Sequence, residues 1–284
     1  MSLLLDEIAL ATTRLAEAGV PSPRADAEEL AAFVHRVRRS ELHLVPDGAF
    51  DALFWEGIAR RAAREPLQHI TGRAFFRYLE LAVGPGVFVP RPETEVVAGW
   101  AISALQEMDV ASPVVVDLGT GSGAIALSIA QEVPLARVHA VEIDPDAYDW
   151  AKRNIREHGQ GRVRLHPADL ADCLPELAGR VDLVISNPPY IPPDAIPRDP
   201  EVRDYDPARA LYGSGDDGLG EVRAVEDTAR RLLRPGGFAV VEHADTQGTD
   251  VYWLFPEDSG WRDMSNHKDL TGRGRFVTAR FGQE

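Results

Sequence analysis

A single cysteine, Cys173, stands in a chain of 284 residues. One thiol cannot close an internal disulfide, so the chain is expected to rely on its core and to suit a reducing compartment. The thiol itself reads as a small buried hydrophobe. Bases are scarce beside acids, 30 against 45, which leaves a formal net charge of −15. Proteins that work on duplex nucleic acid carry a basic face that displaces counterions. The balance here argues against nucleic acid as the main partner and favours steering of a basic protein partner. Long apolar runs are missing as well, and none approaches the roughly 18 residues that a bilayer span requires. The opening MSLLLDEIALATTRLAEAG sets acids and Arg14 among its apolar residues. That is the pattern of an amphipathic helix and not of a signal peptide. A cytoplasmic location is expected. The eight histidines are scattered, without ligand spacing or cysteine pairs, so no metal site is expected. No repeat and no low-complexity tract interrupts the chain.

The length allows one large domain or two ordinary ones. Residues 1–73 read as a small helical domain. Leu3, Leu4, Ile8, Leu15 and Ala18 fall at helical intervals, Ser22 and Pro23 form an N-cap and first-turn pair, and Asp51 precedes a third helical segment that Pro66 closes. Residues 74–92, AFFRYLELAVGPGVFVPRP, alternate, break at Gly84-Pro85-Gly86 and alternate again, which predicts a hairpin connecting two domains. Residues 93–284 then alternate strand and helix signals, implying a parallel sheet covered on both faces. Near the end, GWRDMSNHKDL and RFVTARFG are two further strands suited to close the sheet edge antiparallel.

VVVDLGTGSGAIALSIA is strand, glycine turn and helix. Gly119, Gly121 and Gly123 allow a sharp turn and a ligand's close approach, and the helix from about Ala124 aims its free N–H groups at that ligand. Glu142 ends the next strand, where an acid can accept from both hydroxyls of a ribose. The loop can be forced onto a dinucleotide fingerprint, a weak match. Asp117 favours S-adenosylmethionine instead, because a carboxylate repels a pyrophosphate but suits the methionine amino group or the sulfonium. Asp169, after the third strand, can accept from an adenine exocyclic amine.

VDLVISNPPYIPPD poses a different problem. VDLVI suits a strand buried on both faces, yet it runs into Asn187, Pro188, Pro189 and Tyr190. Two prolines fix φ twice and remove two backbone donors. The result is a stiff corner presenting acceptors, the Asn187 side-chain oxygen and the Pro188 carbonyl, to a group with two N–H bonds. An amide nitrogen is such a group.

NPPY resembles the signature of amino-methylating Rossmann-like methyltransferases. Together with EPLQHITGRAFFRYLELAVGPGVFVPRPETE, AVEIDPDAYDWAKRN, DPARALYGSGDDGL, LLRPGGFAVVEHADTQ and DLTGRGRF, the chain resembles the HemK/PrmC family along nearly its whole length. These are protein-(glutamine) methyltransferases of peptide chain release factors. The resemblance implies a Rossmann-like class I S-adenosylmethionine-dependent fold: a seven-stranded, mostly parallel sheet with an antiparallel edge strand, plus a small N-terminal helical bundle that docks the substrate. It implies that Asp117, Gly119, Thr120, Gly121, Ser122, Gly123, Glu142, Asp169, Leu170 and Asn187 bind S-adenosylmethionine, with S-adenosylhomocysteine as product. Asn187, Pro188, Pro189 and Tyr190 match the substrate pocket, with Asn187, Pro188 and Tyr190 as its catalytic members. The implied partner is a class I release factor, methylated on the glutamine of its Gly-Gly-Gln motif. The alternative is a nucleic-acid adenine methyltransferase, which shares NPPY but calls for a basic target-recognition region.

Overall fold

The computed structural model describes residues 3–48, 50 and 52–282; Asp51, expected to cap the third helix, lies outside them. The chain divides into two compact units. One holds the residues up to 73 together with 197–205, and the other holds 74–196 together with the residues from 206 on.

The first unit contains α1 (Leu3–Glu17), α2 (Pro23–His35), α3 (Ala52–Ala62) and the short α4 (Leu67–Thr71). Leu4, Ile8, Ala11 and Leu15 bury one face of α1 against Leu30, Phe54 and Ile58, as period-3.6 spacing requires. Leu3, counted with that face in the sequence, points outward. Pro23 opens α2, but the Ser22 side chain makes no capping bond. Residues 197–205 complete this unit. Glu201 pairs with Arg61 at 2.8 Å and with Arg64 at 2.6 Å, and the Tyr205 hydroxyl donates to the Ala63 carbonyl at 3.2 Å. Burial pushes the Glu201 carboxyl up, but hydrogen bonds from Arg64 and Arg61 outweigh it and hold the group near a pKa of about 2.

The second unit begins within β1 (Arg73–Phe76), which pairs with β2 (Leu79–Ala82) in a two-stranded sheet. Its turn is Arg77-Tyr78 and not the glycine-proline-glycine that the sequence marks. Arg77 takes a left-handed φ of 52°, which the clamp of its guanidinium on Glu132 at 2.6 and 2.7 Å over-determines. Gly84 serves close packing instead, since a Cβ there would meet the Trp150 ring at 2.6 Å. The hairpin is no free connector: Phe76, Leu79 and Leu81 enter the core of the second unit.

There follow α5 (Pro92–Glu107), β3 (Val114–Leu118), α6 (Ala124–Glu132), β4 (Arg137–Glu142), α7 (Pro145–His158), β5 (Val163–Pro167) and β6 (Val181–Ser186). Then come α8 (Pro200–Tyr205) in the first unit, α9 (Ala208–Leu211), α10 (Gly220–Leu232), β7 (Leu233–Glu242), α11 (Gly248–Tyr252), β8 (Trp261–Lys268) and β9 (Gly274–Phe281). The sheet order is β5-β4-β3-β6-β7-β9-β8; β3 to β7 are parallel, and β9 pairs antiparallel with both β7 and β8. Every residue of β3 and of β6 is buried, which is why both strands read as largely apolar runs without alternation. They are broken only by Asp117, Asp182 and Ser186, each of which is buried with hydrogen-bond partners. Strand order reverses between β3 and β6, and open α/β sheets bind ligands outside the carboxyl ends of the strands at such a switch point.

Candidate active site

A cavity of about 460 Å³ lies at that switch point. Its wall includes Gly119, Thr120, Gly121 and Ser122 after β3, Glu142 at the end of β4, Asp169 and Leu170 after β5, and Asn187, Pro189 and Tyr190 after β6. Four loops far apart in sequence converge because four adjacent parallel strands end on one edge.

The glycine loop turns through left-handed φ values of 72°, 57° and 86° at Gly119, Gly121 and Gly123, a region that side chains with a Cβ disfavour. A Cβ at Gly119 or Gly121 would meet no protein atom within 4 Å, so these two need glycine for backbone shape. Asn154, fully buried on α7, fixes the loop by donating to the Ser122 carbonyl at 2.9 Å while exchanging two bonds with the backbone of Ala82 in the hairpin.

Asp117 corrects an expectation. Its carboxyl is fully buried and is absent from the cavity wall. Oδ2 accepts from the Thr120 hydroxyl at 2.6 Å and from the Ala126 N–H at 3.1 Å, and Oδ1 is buried without a partner among the described residues. Burial pushes its pKa up to about 7, against those two hydrogen bonds. Asp117 therefore shapes the loop and the first turn of α6 from below. It does not line the cavity. Gly123 likewise lies off the cavity wall, against Leu127.

Glu142 is buried and lines the cavity. Oε2 accepts from Gly121 N–H at 2.8 Å, and Oε1 accepts from Ile143 and Asp144 N–H at 3.0 and 2.9 Å. A carboxylate offers about four acceptor positions, so about one remains for a ligand hydroxyl rather than the two expected. Burial raises its pKa, against the three backbone bonds. Asp169 is exposed, and its Oδ1 accepts from Ala171 N–H at 3.0 Å. Leu170 is half-buried and packs against the apolar core of the second unit, with its carbonyl accepting from the Thr228 hydroxyl at 2.9 Å. An acceptor at Glu142, an acceptor at Asp169 and an apolar face at Leu170 suit the diol, amine and ring of an adenosine group.

At the proline corner, the Asn187 side-chain N–H donates to Thr94 Oγ1 at 3.4 Å. Among the described residues nothing donates to Asn187 Oδ1, which is left as a free acceptor. Pro188 is buried beneath the corner and off the cavity wall, which Pro189 joins instead; among the described residues its carbonyl accepts no hydrogen bond. Tyr190 lines the cavity. Burial first, then the charge of Glu242, raise its hydroxyl well above the usual phenol range, with the charge of Arg275 opposing them. The corner is braced from behind by Gln247, which donates to the Tyr190 carbonyl at 2.8 Å, and by Ile191, whose N–H donates to the Leu211 carbonyl at 2.9 Å. Gly213 lets the 206–219 segment approach; a Cβ there would sit 1.9 Å from the Gly218 carbonyl oxygen and 2.9 Å from that of Pro189.

Thr94, Glu242, Gln247 and Arg275 each fall in a segment that carries the family resemblance, but no individual role is legible for them in the sequence. Thr94 and Asn187 are 93 positions apart, and only the fold brings them together.

A doubly wound sheet with a glycine loop, an acid ending the next strand and an Asn-Pro-Pro-Tyr corner at the switch point defines a Rossmann-like class I methyltransferase. A family model described as the PrmC N-terminal domain matches residues 8–72, and one described as the methyltransferase small domain matches 81–197. The chain is 63% identical to the release factor glutamine methyltransferase of Streptomyces coelicolor over 99% of both chains. It is 48% identical to that of Mycolicibacterium smegmatis over 98% of both. A solved methyltransferase from Pyrococcus furiosus shares the fold, with 20% identity and a TM-score of 0.53 over 72% of this chain and 90% of that one. The chain belongs to the release factor glutamine methyltransferase family.

Proposed function

We propose that this enzyme transfers a methyl group from S-adenosylmethionine to the side-chain amide nitrogen of the Gly-Gly-Gln glutamine in class I release factors. The observation that carries this reading is the orientation of Asn187: with its N–H turned to Thr94, its oxygen is the group left to receive a substrate N–H.

Glu142, Asp169, Leu170 and the Gly119–Ser122 backbone would hold S-adenosylmethionine, which supplies an electrophilic methyl group and leaves as S-adenosylhomocysteine. The protein's task lies with the acceptor. An amide nitrogen is a poor nucleophile because its lone pair is delocalised into the carbonyl, and no ordinary side chain deprotonates it near neutral pH. Asn187 Oδ1 and the Pro188 carbonyl each accept one of its N–H bonds. They hold the nitrogen in place and stabilise the positive charge that develops as it attacks. Alignment itself is worth roughly 7–11 kcal/mol in well-oriented reactions. Tyr190, kept as a neutral phenol by burial, offers a ring face to the amide and to developing cationic charge. The surplus proton departs to water after transfer.

The helical unit is assigned to docking the folded factor outside its Gly-Gly-Gln loop. The cytoplasm is the assigned location; among the described residues no helix is long and apolar enough to cross a membrane. The test is methyl transfer from labelled S-adenosylmethionine to unmethylated release factor, to a Gly-Gly-Gln peptide and to unmethylated DNA, with products mapped by mass spectrometry. Label on the glutamine of the folded factor, with the peptide reacting poorly, is the expected result. Label on DNA alone would overturn the substrate.

A further inference from the structure

We propose that Arg209 is a further cofactor-binding residue, which takes the carboxylate of the methionine moiety of S-adenosylmethionine. The inference rests on the reading above, that the cavity at the switch point holds this cofactor.

Charge on the cavity wall is lopsided. Glu142, Asp144, Asp169 and Glu221 supply acids, whereas Arg209 is the only lysine or arginine on the wall among the described residues. The acids are already engaged with backbone: Asp144 accepts from Asp146 and Ala147 N–H at 3.0 and 3.2 Å, and Glu221 from Ser214 N–H at 2.6 Å. Nearby arginines are engaged too, Arg91 with Asp206 and Arg223 with Asp217. Arg209 is exposed, and among the described residues its guanidinium has neither an ion pair nor a hydrogen bond.

The backbone that carries Arg209 is fixed at the β6 end of the wall. Ile191 N–H donates to the Leu211 carbonyl at 2.9 Å and Gly213 N–H donates back to the Ile191 carbonyl at 3.0 Å, which ties α9 to the chain just past Tyr190. Asp206, before α9, pairs with Arg91 at the N-cap of α5. Asp169 stands at the other end, after β5. With adenosine laid along Glu142, Asp169 and Leu170, the methyl group must reach an amide at Asn187, so the methionine moiety extends towards β6. That moiety carries one anion, its carboxylate, and a Gly-Gly-Gln segment carries none. A guanidinium repels the sulfonium and the ammonium, so the carboxylate is the group that makes a cation favourable here. The single unpaired cation on the wall thus matches the single anion among the proposed ligands, and the planar fork of arginine fits two carboxylate oxygens.

The experiment measures binding of S-adenosylhomocysteine and of decarboxylated S-adenosylhomocysteine, which lacks only the carboxylate, by isothermal titration. The native chain, Arg209→Gln and Arg209→Lys are compared, and KM for folded release factor is determined on each at saturating S-adenosylmethionine. Arg209 is exposed, so neither substitution touches the core. Arg209→Gln is expected to raise the dissociation constant of S-adenosylhomocysteine about tenfold, as for loss of one hydrogen bond to a charged group. The constant for the decarboxylated compound should stay within about twofold, because the partner of Arg209 is already missing there. Arg209→Lys, which keeps the charge without the fork, should fall between. KM for release factor should change by no more than about twofold. Equal losses for both ligands would mean that Arg209 acts through the shape of α9, and a raised KM with unchanged cofactor affinity would put it on the substrate; either result overturns the inference, as does unchanged binding of both ligands with unchanged KM. Failure of the native chain to bind S-adenosylhomocysteine would instead overturn the cofactor reading on which this inference stands.

Discussion

The backbone N–H of Gly121 donates to Glu142 Oε2 at 2.8 Å, across 21 residues of sequence. The acid at the end of β4 thereby holds the glycine loop in shape while lining the same cavity, so one carboxylate joins two parts of the cofactor site.

Glu142→Ala should therefore weaken S-adenosylmethionine twice, by removing a ligand acceptor and by releasing three backbone N–H groups. Hydrogen bonds to a charged group are worth about 1.5–3 kcal/mol each, so the dissociation constant should rise at least about tenfold in isothermal titration. Glu142→Gln, with one carbonyl oxygen in place of two carboxylate oxygens, should fall between. An unchanged constant for the alanine variant would remove Glu142 from the site.

Burial raises the Glu242 carboxyl from its ordinary 4.5 to about 8, with nearby Thr94 and the charge of Arg275 opposing it. A group of this sign binds its proton more tightly in the folded chain than in the unfolded one. Its contribution to stability is fully present below pH 4.5 and is lost as pH rises towards 8. Glu242→Gln removes that slope, since a carboxamide does not titrate. The stability of the variant relative to the native chain should increase between pH 5 and 8, by about 2–4 kcal/mol, in urea unfolding at each pH. A difference independent of pH would mean that Glu242 folds with an ordinary pKa.

Gly213→Ala tests the support of the proline corner from outside the cavity's chemistry. A Cβ there meets two backbone oxygens, at 1.9 and 2.9 Å, so backbone must move. The loss expected is about 1–3 kcal/mol, as for overpacking, together with a fall in kcat larger than any change in cofactor affinity. Native turnover in this variant would show that the 206–219 segment yields without disturbing Asn187 and Tyr190.

Much of the site was legible in the sequence, for local reasons. Apolar strands buried on both faces, a glycine turn before a helix, an acid one strand later and a Pro-Pro corner each announce themselves within a few residues. What escaped was decided at long range. The hairpin turn falls on Arg77 because Glu132, 55 positions away, clamps it. Asp117 is buried under the glycine loop and off the cavity wall, a placement that a strand buried on both faces does not encode. In the acidic stretch 194–217, Glu201 folds back on Arg61 and Arg64 of the helical unit, while Asp206 pairs with Arg91, whose guanidinium lies 4.8 Å from the Phe88 ring. Composition shows the charges there and not their partners.

The most direct measurement is the single-turnover rate of Asn187→Ala on folded release factor, with S-adenosylmethionine affinity determined on the same preparation. The account predicts a rate about 10²–10³ below native, as for loss of one preorganised transition-state group, with the cofactor bound as before. A native rate would contradict the role of the proline corner as the grip on the substrate amide.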